Sequence, residues 1–236
     1  MSFSLKRARA IFVKDYKEFS RNYAVSIMLI FPIILALLIR GTGQSLPGAF
    51  ALVLNPSFVL LTSFAQACLI AEEKERNTLR SLMMTPATTM DVLIGKSTLV
   101  FVMSAIVLAI STYIFGYEPI NKWAFVAAII LSIILYTAAG TICGLFSKTL
   151  LEASLSILPV AFVFTGAPWG ALLVKDFPIF KVLEYVPSSQ LVYLLDTRNI
   201  GLTTGELLKP LLIILAWTIV LTIVSVVLYQ RRLKDE

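Results

Sequence analysis

Side chains able to do chemistry are scarce in this sequence, and one stretch carries them at unusual density. It runs Glu72-Glu73-Lys74-Glu75-Arg76-Asn77-Thr78-Leu79-Arg80, then Thr85-Pro86, and closes on Gly95-Lys96-Ser97. Carboxylates, an ammonium and guanidinium groups at this density suit electrostatic docking onto another surface. Leu79, Leu82 and Met83 repeat at steps of three and four, opposite Glu72, Glu73, Arg76 and Arg80, which predicts an amphipathic helix. The i,i+4 pair Glu72/Arg76 contributes only about 0.2–0.5 kcal/mol, so helix stability does not explain the charge. Thr85-Pro86 stops that helix, and Thr88-Thr89-Met90-Asp91 resembles a capping box that starts the next.

Catalysis finds little support. Ile94-Gly95-Lys96-Ser97 looks like the tail of a phosphate-binding loop, but that motif needs a glycine where Met90 stands. Without it the backbone cannot form the anion-binding nest. Histidine is absent, which removes Ser-His and Cys-His nucleophiles and histidine-ligated zinc or haem. Cys68 and Cys143 lie in apolar runs without metal or redox spacing and read as small buried residues.

The elements that must position the charged stretch are membrane spans. Of 236 residues, 58% are hydrophobic and 14% charged, with a mean hydropathy of +0.88. Soluble domains run at about 45–50% and about 25%, so the composition belongs to a membrane protein. Six apolar runs approach the length of about 20 residues that a bilayer demands. They are Tyr23 to Ile39, Phe50 to Ala71, Thr98 to Gly116, Trp123 to Phe146, Ala153 to Val174 and Leu211 to Tyr229, none with a charge in its interior. Leu, Ile, Val and Ala fill them without the alternation of a barrel strand, so an all-α integral membrane protein with six transmembrane helices is expected. With both termini inside, the inner segments hold 14 of the 20 Lys and Arg residues, which places the termini in the cytoplasm. The net charge of +6 then reflects orientation and contact with membrane lipids, not nucleic acid.

Along this single transmembrane domain, residues 1–22 form a lead, 23–71 the first two spans, 72–97 the charged connection, 98–174 spans three to five, 175–210 an external segment, and 211–236 the last span and tail. The lead places Leu5, Ala8, Phe12, Tyr16 and Phe19 on one face and Lys6, Arg9, Lys17 and Arg21 on the other, predicting an amphipathic interfacial helix. It has no cleavage-site pattern near Ile39-Arg40-Gly41, so it is read as retained. Gly166-Ala167-Pro168-Trp169-Gly170 is expected to break the fifth span. The apolar residues after it, Phe177, Phe180, Leu183, Tyr185, Leu191, Tyr193 and Leu194, suggest short re-entrant helices between spans five and six.

The charged segment also resembles a family hallmark, that of type-2 ABC exporter permeases: Glu-x-Glu-x-Gly-Thr-x-Glu-x-Leu, then Thr-Pro, then Gly-Lys. Glu73, Glu75, Thr78, Leu79, Leu82, Thr85, Pro86, Gly95 and Lys96 stand in the matching places, with Asn77 for the usual Gly and Arg80 where Glu is frequent. The layout of interfacial helix, six spans and broken fifth span, with Pro187 in the return, extends the resemblance over nearly the whole chain.

The resemblance implies that the helix at 72–84 is a cytoplasmic coupling helix received by a separate ABC ATPase (nucleotide-binding) subunit. The contacting residues would be Glu72, Glu73, Lys74, Glu75, Arg76, Thr78, Arg80, Thr85 and Pro86. No cofactor is expected on this chain, since ATP and Mg belong to the partner. The family also implies a second permease copy or paralogue, with cargo passing where helices two and five of the two subunits meet. Ser57, Thr62, Gln66, Phe162 and Thr165 are the candidate lining groups, with interhelical hydrogen bonding as the alternative role. Amphipathic drugs, antibiotics, lipids or peptides are the expected cargo, in a bacterial or archaeal plasma membrane. A secondary transporter fits less well because the spans lack buried Asp, Glu or His. A channel lacks a filter motif, and a membrane scaffold or sensor would assemble without ATP-dependent transport.

Overall fold

The fold is described by a computed structural model over residues 4–21, 23–43, 49–75, 88–175, 177–196 and 204–235. Every regular element among them is helical. α1 (Leu5–Phe19) leads into α2 (Tyr23–Gly41). A continuous rod, Ala49–Glu75, consists of α3 (Ala49–Ser57), π-helical turns (Phe58–Ser63) and α4 (Phe64–Glu75). Then follow α5 (Thr89–Phe115), α6 (Lys122–Phe146) and α7 (Leu150–Ala171). Two 3-10 turns (Leu172–Lys175 and Pro178–Tyr185), α8 (Pro187–Leu195) and α9 (Thr204–Asp235) complete the chain.

Local chemistry sets the helix ends. Asp91 N–H donates to Thr88 Oγ1 at 3.2 Å while Thr88 N–H donates to Asp91 Oδ2 at 2.8 Å, so the capping box starts α5 as the sequence indicates. Gly116 ends α5 with φ of 76°, a left-handed conformation that glycine adopts without strain. Asn121 caps α6 by accepting from Ala124 N–H, and Thr149 caps α7 by accepting from Glu152 N–H. Pro187 opens α8 at a position where its missing N–H costs nothing.

Among the described residues, five helical stretches are long and apolar enough to cross a membrane: Ala49–Glu75, Met90–Phe115, Lys122–Phe146, Leu150–Val174 and Glu206–Arg232. α2 contributes a shorter apolar piece, Ile27–Gly41. The rod is the centre of the bundle, with 83% of its apolar window buried against 17% for Leu150–Val174 and Glu206–Arg232. An aromatic line ties it to the periphery: Phe58 stacks on Tyr136 (5.2 Å), Tyr136 meets Phe164 edge-on (5.3 Å), and Phe164 meets Trp217 (6.3 Å).

Small residues allow the closest crossings. A Cβ on Gly144 would lie 2.8 Å from the Ala67 carbonyl oxygen and 2.9 Å from Ile70 Cβ; one on Gly140 would collide with the Ser63 carbonyl and come 2.9 Å from Gln66 Cβ. Gly140 and Gly144 thus form a small-xxx-small notch that seats α6 on the rod. Gly95 does the same for α5 against α1, where a Cβ would meet the Ala8 carbonyl oxygen at 2.9 Å.

One sequence expectation needs correction. The fifth span does not break at Gly166–Gly170: α7 continues through Pro159 and Pro168 to Ala171. Proline's φ is already helical and it withholds a single N–H bond, so the helix can run through both prolines. The short helices expected beyond it are present as Pro178–Tyr185 and α8. On α1, Ala8, Ile11, Asp15 and Phe19 are buried against the bundle, whereas Leu5 (76%) and Tyr16 (53%) of the expected apolar face are exposed. An apolar count cannot see that Asp15 is drawn inward by a cation on α5.

Replacing Gly140 or Gly144 by Leu will overpack the α6–rod contact, at a cost of about 1–3 kcal/mol, and lower Tm in detergent. Gly166→Ala, where nothing lies within 4 Å of the added Cβ, will not lower it. Equal Tm values for all three variants and the parent would refute this packing.

Candidate functional site

The end of the rod that leads into the charged segment is built around a buried cation. Lys96 Nζ lies 3.0 Å from Glu73 Oε1 and 3.1 Å from Asp15 Oδ2, and donates to the Leu69 carbonyl at 3.3 Å. The Lys96, Asp15 and Glu73 side chains are 1%, 1% and 4% exposed. Lys14 Nζ reaches the same Glu73 oxygen at 3.3 Å, Glu18 at 3.5 Å and Asp15 Oδ1 at 3.8 Å. Ile11, Ile70, Val92, Leu93, Leu145 and Tyr229 form the apolar shell beside it. Helices α1, α4, α5, α6 and α9 therefore meet at one point.

Burial pushes the Asp15 carboxyl above its ordinary range, and the nearby Glu73 charge adds to that push; Lys96 and Lys14 pull against it without overcoming it. Burial works to lower the Lys14 ammonium, but Glu73, Asp15 and Glu18 overcome it and hold Lys14 above its usual value. Its attraction is therefore complete at neutral pH and fades only as the medium becomes more basic than the free amine's own range.

The next residues tie the rod end to other neighbours. Lys74 Nζ donates to the carbonyls of Leu145 and of Ser147 (3.2 Å), where α6 ends, a favourable place for a cation. Glu75 accepts the Leu150 N–H at 2.9 Å, where α7 begins. Asp91 is fully buried and accepts from Arg7 Nε, Ser4 N–H and Thr88 N–H, each at 2.8 Å, fastening α1 to the start of α5. Among the described residues this arrangement is a network of ion pairs and hydrogen bonds that ties the rod end to α1, α5, α6 and α7.

Residues 13–227 match the model of the ABC-2 family transporter protein. The chain belongs to this family. No curated protein matches the sequence. An ABC-2 permease is the membrane component of a transport system that generally includes an ABC ATPase.

In this ABC-2 permease the residues singled out by sequence fall into four groups. Glu72 is half-buried, Glu73 is buried in the ion cluster, and Lys74 and Glu75 bond to the ends of α6 and α7. Arg76, Thr78, Arg80, Thr85 and Pro86 lie outside the described residues. Ser57, Thr62 and Gln66 are fully buried and bonded within the chain: Ser57 to the Val53 carbonyl, Thr62 to Ser104 (2.9 Å), Gln66 to Thr141 (3.1 Å). On α7, Phe162 is 83% exposed and Thr165 half-buried. Sequence reasoning missed Lys14, Asp15 and Asp91 as members of ion pairs between elements, and the Gly140/Gly144 notch. Two signals were available: Asp15 lies one helical turn from both Ile11 and Phe19, and Gly140 and Gly144 have the small-xxx-small spacing.

Lys96→Met will leave Asp15 and Glu73 buried without their main cation, costing about 3–5 kcal/mol and lowering Tm in detergent. Adding Asp15→Asn to Lys96→Met will recover part of that loss. A Tm unchanged by Lys96→Met would show that no such cluster forms.

Proposed function

We propose that this ABC-2 permease is the membrane subunit of an ATP-driven exporter and moves cargo when a separate ATPase subunit displaces the segment after Glu75. In this reading α2 and the five long helices are six spans, both termini are cytoplasmic, and α1 lies at the inner interface with Leu5 and Tyr16 toward lipid. The Pro178–Tyr185 turn and α8 dip into the outer leaflet. One observation carries the reading: Glu73, Lys74 and Glu75, successive residues at the end of the central rod, hold α1 and α5, the end of α6 and the start of α7. A force applied to 76–86 would then act on the bundle as a rigid body rather than on one helix.

The functional unit is proposed as two such subunits, identical or related, above two ATPase subunits that hold ATP and Mg. On α7, Leu151, Leu155, Leu158, Phe162 and Trp169 are exposed at steps of four, three, four and seven, an apolar seam of the kind that pairs helices. Phe162 and Thr165 sit on a surface that a second copy would share. Ser57, Thr62 and Gln66, bonded inside the subunit, act on the path by fixing the rod. The cargo is an amphipathic drug, antibiotic, lipid or peptide.

Purification of the tagged chain from its native membrane will bring down an ABC ATPase subunit. Arg76→Glu with Arg80→Glu will reduce its recovery at least tenfold while leaving the permease's Tm and elution unchanged. Recovery of the chain alone, or undiminished recovery with the double variant, would sink the coupling assignment.

A further inference from the structure

We propose that a groove between α5 and α9 holds one acyl chain of an anionic membrane phospholipid, whose phosphate is met by the arginines that end α9. Both helices pack on α6 and leave a space of about 280 Å³ enclosed by residues 90–101 of α5, 134–141 of α6 and 222–226 of α9. Sites for drug-sized molecules start at about 300 Å³, so this one suits a single narrow chain. Met90, Ile94 and Ile134 are exposed along it, so the groove opens sideways. Its wall is mostly carbon. Thr137 donates to the Ile133 carbonyl, Thr141 to the Thr137 carbonyl and Ser225 to the Thr222 carbonyl, so these hydroxyls are satisfied by their own helices and leave methyl and methylene groups to a ligand.

Length and charge name the occupant. From Met90 to Phe101 the α5 wall rises about 16 Å, at about 1.5 Å per residue. One leaflet is about half of a hydrocarbon core of about 30 Å, so the groove runs the depth of an acyl chain. Ser225 lines the groove, and Tyr229 and Arg232 follow on the same stripe of α9 at steps of four and three. Arg231 and Arg232 are both exposed, and the Arg232 guanidinium lies 5.0 Å from the centre of the Phe146 ring where α6 ends. Arg232 is about 9 Å along the helix from Val226, which places the guanidinium beyond the hydrocarbon-lined part of the groove. Asp91, beside Met90, is fully buried and accepts from Arg7, Ser4 and Thr88, so it does not repel a phosphate there. Guanidinium groups bind phosphate through parallel N–H donors, and basic sites at the ends of membrane helices take anionic headgroups. Calling this the inner leaflet rests on the proposed orientation; the pairing of groove and arginines does not.

The test uses the full chain, without ATPase, in phosphatidylcholine liposomes doped with a phospholipid that carries a photoactivatable diazirine midway along one acyl chain. Phosphatidylglycerol and phosphatidylcholine probes share the same chains, and mass spectrometry maps the labelled residues. The phosphatidylglycerol probe should label 90–101 and 222–226 at least threefold more than the phosphatidylcholine probe, whereas the exposed Ile106 and Ile110, further along α5, should take up both alike. Arg231→Gln with Arg232→Gln should abolish that preference, and Ser97→Trp, which fills the groove, should lower labelling by both probes. Unlabelled phosphatidylglycerol should compete in the parent chain, and palmitate should not. Equal labelling of the groove by the two probes would overturn the proposal, as would a preference that survives the double arginine substitution, undiminished labelling with Ser97→Trp, or competition by palmitate as strong as that by phosphatidylglycerol. Should the variants misfold, the comparison of probes and the competition in the parent chain decide. Because no ATPase is present, a negative result leaves the coupling proposal standing, and a failure to recover an ATPase leaves the lipid site untouched.

Discussion

A lysine removed from water inside an apolar bundle must find negative charge, and that requirement organises one end of this molecule. Lys96 sits among Asp15, Glu73 and the Leu69 carbonyl, each on a different turn or helix. Because an isolated buried ammonium is so unfavourable, the three elements have to arrive together. The ion cluster contributes little net stability relative to a well-packed apolar core. What it provides is register: α1 cannot slide along α5 without taking Asp15 away from Lys96, and Gly95 beside it fixes how close the two helices come.

The rod that carries Glu73 is held along its length by a different device. Ser63 donates to the Tyr136 carbonyl at 2.7 Å, Thr62 pairs with Ser104, and Gln66 with Thr141, all fully or nearly fully buried. In an apolar surrounding such bonds have little competition from water, and each joins the rod to α5 or α6. The π-helical turns Phe58–Ser63 widen the rod where Thr62 and Ser63 make these bonds, a common way for a helix to re-aim side chains. Polar residues here hold helices together, and apolar ones, such as those exposed along α7, face outward.

The family assignment and the geometry bear on different parts of the account. The match over 13–227 shows what the chain is, an ABC-2 permease, whereas the junction at Glu73, Lys74 and Glu75 describes how the charged segment is anchored. Glu73 illustrates the distinction. Its type and position fit the family hallmark, and its side chain is turned into the subunit, so any role in docking is exercised through the position of the rod end.

The sequence alone determined that the chain is a bundle of apolar helices with one dense charged connection, because hydropathy and length follow directly from the demands of the bilayer. It also determined the α5 capping box, since the Thr88 and Asp91 side chains act within one turn of their own backbone. The sequence misplaced the end of α7 and left the burial of Asp15 undecided. Only the tertiary structure decided those, because Asp15 is buried for the sake of Lys96, 81 residues away, and α7 runs on through Pro159 and Pro168 to Ala171. Local patterns record the solvent each residue prefers; the partner that can change that preference is chosen by the fold.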